Sequence, residues 1–183
     1  MLLMGKILTF TGASGAGKST IAQALGFPFV LSTTTRTPRV SDLPGEYEYI
    51  EIDDNVWEEN GWNAYLWIEP HAKYYYGTKR EVVDRAMQDP GTSMMILIPK
   101  VLPKLLTYTG IEKVLPFYIR SPEEATLRTR MRQRGETNDS IELRLDESRK
   151  WDEQAEKSGI PYIFITNNST IEEAVEQVRG YLK

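Results

Sequence analysis

Eight consecutive residues, Gly12-Ala13-Ser14-Gly15-Ala16-Gly17-Lys18-Ser19, match the pattern G-x-x-x-x-G-K-[ST] in full. Its glycines let backbone N–H groups turn inward around phosphate oxygens with no Cβ in the way. A helix that starts at the end of the motif adds its positive N-terminus. In that setting Lys18 neutralises β/γ oxygens of a nucleotide, and the Ser19 hydroxyl ligates Mg²⁺. The bland alternative is a Gly-rich turn carrying an exposed lysine. By itself the motif leaves ATPases, GTPases and small-molecule kinases open. No N/T-K-x-D run, which a regulatory GTPase would use to read guanine, occurs in the chain.

Two sets of arginines narrow the choice. Thr33-Thr34-Thr35-Arg36-Thr37-Pro38-Arg39 puts two guanidinium groups three residues apart around a proline. Their forks suit a dianionic phosphate, and Pro38 limits the freedom of the loop. Tyr47 and Tyr76 each offer a phenolic O–H to the same group. The second set is Arg128, Arg130, Arg132 and Arg134 on one predicted helix, with Arg144 on the next. Arg130 and Arg134 share a face at i,i+4 spacing, as do Arg128 and Arg132. Like charges so spaced disfavour an isolated helix, and a bound polyphosphate would offset the repulsion. A solvated charged face is the competing explanation.

Composition removes other chemistries. Among 183 residues there is no cysteine and a single histidine, His71. Disulfides, thiol nucleophiles and thiolate or His-based zinc sites are therefore excluded. With 22 basic and 26 acidic residues the net charge is −4, so no general attraction to nucleic acid is expected. No apolar run approaches the roughly 18 residues of a membrane span. Met1-Leu2-Leu3-Met4 lacks a basic n-region and reads as the lead-in to a first strand, with Met4 a possible alternative start. We expect a cytoplasmic protein, monomer or homodimer, with no nucleic-acid or membrane partner.

These residues need a scaffold. Residues 6–10 predict a buried strand, the Gly-rich turn follows, and residues 19–25 predict a helix. Residues 29–31 read as a second short strand, and residues 33–45, dense in Thr, Pro and Arg, as an ordered surface loop. Short aromatic strands are expected at 47–52, 64–68 and 74–76. A helix at 79–88 is stopped by Asp89-Pro90-Gly91. Strands at 93–98 and 114–119 follow, then helices at 122–134 and 140–157, a strand at 161–166 and a helix at 171–182. Asp146 and Lys150 form an i,i+4 pair in the favourable order on the second of those helices. Such alternation predicts an α/β fold with right-handed crossovers and a parallel sheet core flanked by helices. The stretch 33–78 breaks the alternation and reads as a small β insertion.

With these motifs placed, the chain resembles the guanylate kinase family of P-loop nucleoside monophosphate kinases. Residues 12–19 match its phosphate loop, and Ser32-Thr33-Thr34-Thr35-Arg36-Thr37-Pro38-Arg39 is similar to its S-[ST]-T-T-R-x-P-R loop. Gly45-Glu46-Tyr47-Glu48-Tyr49 resembles G-x-D-Y-x-F with a one-residue deletion, and Tyr75-Tyr76-Gly77-Thr78 matches Y-Y-G-[ST]. Residues 130–137 resemble R-L-x-x-R-G-T-E, residues 140–145 match S-I-x-x-R-L, and Ile165-Thr166-Asn167-Asn168 is similar to V-V-N-D.

The resemblance implies phosphoryl transfer from ATP, with Mg²⁺, to a nucleoside monophosphate, GMP by family prior. It implies a single domain over residues 1–183, with a core at 1–32, 79–134 and 145–183, a monophosphate-binding lobe at about 33–78 and an arginine-rich lid at about 135–144. Gly12, Ala13, Ser14, Gly15, Ala16, Gly17, Lys18, Ser19, Thr20 and Asn167 would bind ATP, with Asn167 touching the adenine and Ser19 the metal. Lys18, Arg130, Arg134 and Arg144 would be catalytic, closing over the ATP phosphates. Arg36, Arg39, Tyr47 and Tyr76 would hold the acceptor phosphate. Ser32, Glu69, Gly77 and Thr78 complete the acceptor site, with Ser32 and Thr78 facing the base.

Two departures bear on the acceptor. The family strand ending in D-I-D-x-Q-G is here Leu97-Ile98-Pro99-Lys100-Val101-Leu102, with neither aspartate and with Pro99 at the base-facing position. The family glutamate that pairs with guanine sits ten residues before the glycine of Y-Y-G. Trp67 stands there in this chain, and the nearest acid, Glu69, is offset by two. Weakened discrimination for guanine is the resulting expectation. A kinase for another phosphorylated metabolite and a silent binding module are the alternatives. Such modules typically lose the phosphate-loop lysine, and Lys18 is present.

Overall fold

The computed structural model describes residues 5–40, 42–51, 62–71 and 73–182. The lead-in Met1-Leu2-Leu3-Met4 and the end of the strand expected at 47–52 lie outside the described residues.

Strand β1 (Lys6–Thr11) runs through the middle of a four-stranded sheet, and all but its first residue are buried. It pairs in parallel with β6 (Thr92–Ile96) on one side and β7 (Val114–Ile119) on the other. Strand β8 (Ile163–Ile165) adds to β7, also in parallel, giving the order β6-β1-β7-β8. Alternate residues of β1 feed two cores. Ile7 joins Val83 and Ala86 of α2 (Arg80–Gln88), Leu102 and Leu105 of α3 (Leu102–Thr109), and Ala155 of α6 (Trp151–Lys157). Leu8 and Phe10 join Ile21 and Ala22 of α1 (Lys18–Leu25), and Val175 and Val178 of α7 (Ile171–Gly180). The expected α/β core covered on both faces is present. Ligand sites in such sheets lie beyond the carboxyl ends of the strands, where the glycine-rich turn after β1 emerges. No helix among the described residues is long and apolar enough to cross a membrane.

A second sheet, β3-β2-β5-β4, stands beside this opening. Here β2 (Ser32–Thr34) runs parallel to β3 (Tyr47–Tyr49) and antiparallel to β5 (Tyr74–Lys79), which pairs antiparallel with β4 (Tyr65–His71). In the β4–β5 register Glu69 faces Tyr76 and Trp67 faces Thr78. Side chains alternate across a strand, so these four share one face.

The structure differs from the sequence reading at five points. Residues 29–31 make one bridge, Phe29 to Met94, before the chain leaves for the second sheet. Thr33 and Thr34 belong to β2 and are buried there rather than lying on a surface loop. The helix expected over 140–157 is two, α5 (Asn138–Ser148) and α6. Ser148 Oγ donates back to the Arg144 carbonyl at 2.7 Å, a bond that bends helices, and Lys150 leaves helical geometry. Asp146 consequently pairs with Arg149 rather than Lys150. Helix α3 was not expected from the sequence. It follows a 3₁₀ turn at Pro99–Val101, and Pro103 lies in its first turn, where a missing N–H costs nothing.

Candidate active site

The loop between β1 and α1 wraps around its own lysine. Lys18 Nζ donates to the Gly12 carbonyl at 2.7 Å and the Ala13 carbonyl at 2.8 Å. Desolvation, reinforced by the Arg134 and Arg144 charges, pulls the Lys18 ammonium down to about 7. Gly17 holds φ 105, open to glycine at little cost, and a Cβ there would collide with the Asn167 amide. That buried amide donates from Nδ2 to the Ala16 carbonyl at 2.7 Å, tying the end of β8 to the loop.

Two arginines reach the loop from α4 (Glu124–Gln133) and α5. Arg130 Nη1 donates to the Gly15 carbonyl at 3.0 Å, and Arg144 Nη1 to Ser14 Oγ at 3.1 Å. Arg134 lines the same opening. The repulsion expected among these arginines is relieved by carboxylates. Glu136 lies 3.2 Å from Arg134 and 3.0 Å from Arg144, while Arg128 is taken by Glu124 and Glu142. Glu136 was not singled out in the sequence. Its position between Arg134 and Arg144 was the available signal.

Beyond Lys18 an open cleft lies between the two sheets. It is lined on the loop side by Gly12, Ser14, Lys18 and Ser19, and on the other by Ser32, Arg36, Arg39, Tyr47, Glu69, Tyr76, Gly77 and Thr78. All eight expected acceptor residues thus share one cleft. On the loop side, Gly15, Gly17, Thr20, Arg130 and Asn167 line an adjoining groove that also borders Lys18 and Ser19. Ala13 and Ala16 are buried under the loop, to which they contribute backbone.

Arg36 is buried and grips Asp42 through two bonds, at 2.8 and 3.0 Å. Its guanidinium also lies 5.3 Å from the Tyr47 ring centre. Asp42 accepts further bonds from the Arg39 N–H and the Tyr49 hydroxyl, both at 2.6 Å. Those donors, Arg36 foremost, overcome burial and lower the Asp42 carboxyl below its ordinary value. Glu46, buried next to Tyr47 in the cleft wall, is raised by desolvation instead. Ser32 Oγ and Thr78 Oγ1 are hydrogen-bonded to each other at 3.1 Å.

The remaining wall corrects the sequence reading of the acceptor end. Ile96, Leu97, Ile98 and Val101 line the cleft, whereas Pro99 faces a separate groove behind it. Glu69 is in the cleft wall beside Trp67, despite the offset of two. Lys100 and Lys104 hold its carboxylate at 2.6 and 2.5 Å. His71 also lines the cleft, 3.1 Å through Nδ1 from Glu147.

Among the described residues no three His, Asp or Glu side chains gather into a metal cage. The set fits a Mg²⁺ that arrives on a nucleotide, since such an ion keeps water and phosphate oxygens and takes few protein ligands. Ser19, at the start of α1, offers a hydroxyl to such an ion, and Glu46 is a carboxylate in the same cleft.

Comparison with known proteins agrees. A family model described as guanylate kinase matches residues 4–183. The chain is 28% identical to a guanylate kinase of Mycoplasma mobile, over 98% of this chain and 92% of that protein. It is 30% identical to one of Rhizobium meliloti, over 98% of this chain and 82% of the relative. The crystal structure of guanylate kinase from Anaplasma phagocytophilum superposes with a TM-score of 0.63 at 19% identity, covering 98% of this chain and 85% of that one.

Proposed function

The chain belongs to the guanylate kinase family, and from that premise we propose that it transfers the γ-phosphoryl group of ATP to GMP. The observation that carries this reading is the convergence of Lys18, Arg36, Arg39, Arg134 and Arg144 on one cleft. Two phosphate sites, one built on the loop and one on the second sheet, face each other across it.

ATP phosphates enter the loop, where Lys18 exchanges its two carbonyl partners for phosphate oxygens and regains its full charge. Arg130, Arg134 and Arg144 cover the polyphosphate from α4 and α5, and Arg36, Arg39, Tyr47 and Tyr76 hold the acceptor phosphate. Transfer of this kind is limited by alignment and charge, and fixed guanidinium and ammonium groups supply both. Ser19 would hold Mg²⁺, which would supply further positive charge against the phosphates. We assign residues 33–78 to the acceptor lobe and 135–144 to a lid.

The choice of GMP follows from Glu69. Its carboxylate stands in a wall of Trp67, Ile98 and Val101, where it suits the N1–H and N2–H₂ donors of guanine. The flat apolar surroundings favour a base over a sugar. Glu69 in the wall answers one of the two departures behind the expected loss of guanine discrimination, while apolar Leu97 and Ile98 line the cleft at the strand end where the aspartates are missing.

The test is ADP release from ATP with GMP, dGMP, AMP, UMP, dTMP and a set of sugar phosphates. GMP is expected to give the highest kcat/KM. A sugar phosphate as the best acceptor, or no turnover with any monophosphate, would overturn the reading.

A further inference from the structure

Glu69 is 8% exposed at its side chain, while Lys100 and Lys104 are 66% and 48% exposed. The ammonium groups therefore approach the carboxylate from the solvent side. Neither lysine lines the cleft, and Lys100 borders the groove behind it. They lie four residues apart, one on the 3₁₀ turn and one on α3, so both rise from the same face. Each takes a different oxygen, Lys100 at Oε2 and Lys104 at Oε1. A carboxylate anchored at both oxygens cannot swing, and its remaining lone pairs are free for the cleft.

We propose that Lys100 and Lys104 are positioning residues for the acceptor site, a solvent-side clamp that fixes the Glu69 carboxylate in the cleft wall to receive N–H donors from the acceptor's base. The proposal rests on the nucleoside monophosphate reading above. Exposed lysine pairs are ordinarily weak. Here their partner is buried beside Trp67, where the charged form is disfavoured without them. Burial alone would raise the Glu69 carboxyl, and hydrogen bonds from the two lysines reverse the shift and lower it. Of the other groups facing Glu69, Tyr76 lies opposite on β5, and His71 follows on the same face of β4. His71 is held down to about 4 and stays neutral above pH 5.

Lys100→Ala, Lys104→Ala and the double variant test the clamp. Wild-type enzyme sets the baseline, its KM for GMP rising between pH 7 and pH 5 only as the GMP phosphate itself takes its second proton, at about pH 6. The double variant should raise that KM about 10-fold at pH 7, the size of one lost charge-assisted hydrogen bond. Between pH 7 and pH 5 the ratio of its KM to the wild-type KM should climb further, as the unclamped carboxyl takes a proton. The KM for ATP should move less than twofold, and a Lys100→Arg/Lys104→Arg variant should restore the GMP value. An unchanged KM for GMP in the double variant, or an equal rise for ATP, would overturn the clamp. Absence of wild-type turnover with every monophosphate would instead overturn the functional reading. A measurement free of turnover stands beside these. The Glu69 carboxyl, followed by carbon NMR against pH, should titrate higher in the double variant than in wild type, and an unmoved titration would overturn the clamp.

Discussion

Arg36 and Asp42 form a closed pair in the wall of the cleft: both terminal guanidinium nitrogens donate to one carboxylate, at 2.8 and 3.0 Å. Arg36 is 4% exposed, so its charge cannot be left without an anion at small cost. The pair orients the guanidinium for an incoming phosphate, which then adds a second anion to the same group. Breaking a buried pair from one side costs about 3–5 kcal/mol. Asp42→Ala should therefore unfold at clearly lower temperature than wild type. Saturating GMP should stabilise this variant by more than it stabilises wild type, because the phosphate supplies the missing anion. Thermal melts with and without GMP check this, and equal ligand-induced shifts would mean that the phosphate does not sit on Arg36.

Glu69→Gln tests the base reader. The amide keeps the size of the side chain but loses the charge that both guanine donors need and that both lysines neutralise. The ratio of kcat/KM for GMP over AMP should fall about 10- to 150-fold, with the KM for ATP unchanged. Competition between the two monophosphates at fixed ATP reads this ratio directly.

What the sequence made legible was local. The strand, glycine loop and helix that carry Lys18 are contiguous, and so is the loop holding Arg36 and Arg39, so spacing alone placed them. Partners supplied by distant elements were not legible. Asp42 and Glu136 looked like ordinary surface acids until folding set them against Arg36 and Arg144. Counting back from Gly77 put Trp67 in the place of the expected acid. Strand pairing, which sets Glu69 opposite Tyr76, decides the face instead. Helix α3 carries only a weak helical signal in the sequence, because prolines such as Pro99 and Pro103 end helices elsewhere, whereas here each occupies a first turn.

His71 gives a reporter that no other residue obscures, since the chain has one imidazole. It is held down to about 4 from an ordinary 6.5 by burial first, then by Arg144, Lys18 and Arg39. The nearby Glu147 pulls the other way and is outweighed. A depressed folded value means that the unfolded chain binds this proton more readily. The stability it confers is complete above about pH 6.5 and is lost as pH falls toward 4, roughly 3 kcal/mol in all by linkage. Proton NMR of the ring should give a midpoint below 5 in the free protein. Adding ATP and GMP neutralises those cations and should raise it. A midpoint near 6.5 without ligand would show that the imidazole is solvated.

Lys18 couples nucleotide binding to a proton. In the free protein its ammonium is desolvated, faces the charges of Arg134 and Arg144, and is held down to about 7. At pH 8 the free enzyme therefore carries mostly neutral Lys18, and at pH 6 mostly charged Lys18. Polyphosphate oxygens replacing the Gly12 and Ala13 carbonyls favour the charged form strongly, since an opposite charge in contact raises an amine. ATP binding at pH 8 should accordingly take up close to one proton, and at pH 6 close to none. Calorimetric titrations in buffers of different ionisation enthalpy measure that number directly. Lys18→Ala should abolish the uptake at pH 8 and lower kcat by at least about 100-fold, because the lost charge acts where the phosphoryl group moves. The side chain contributes little to the core, so the variant should melt within a few degrees of wild type. Uptake at pH 8 that survives in Lys18→Ala would assign the proton to another group, and unchanged turnover would remove Lys18 from the transfer step.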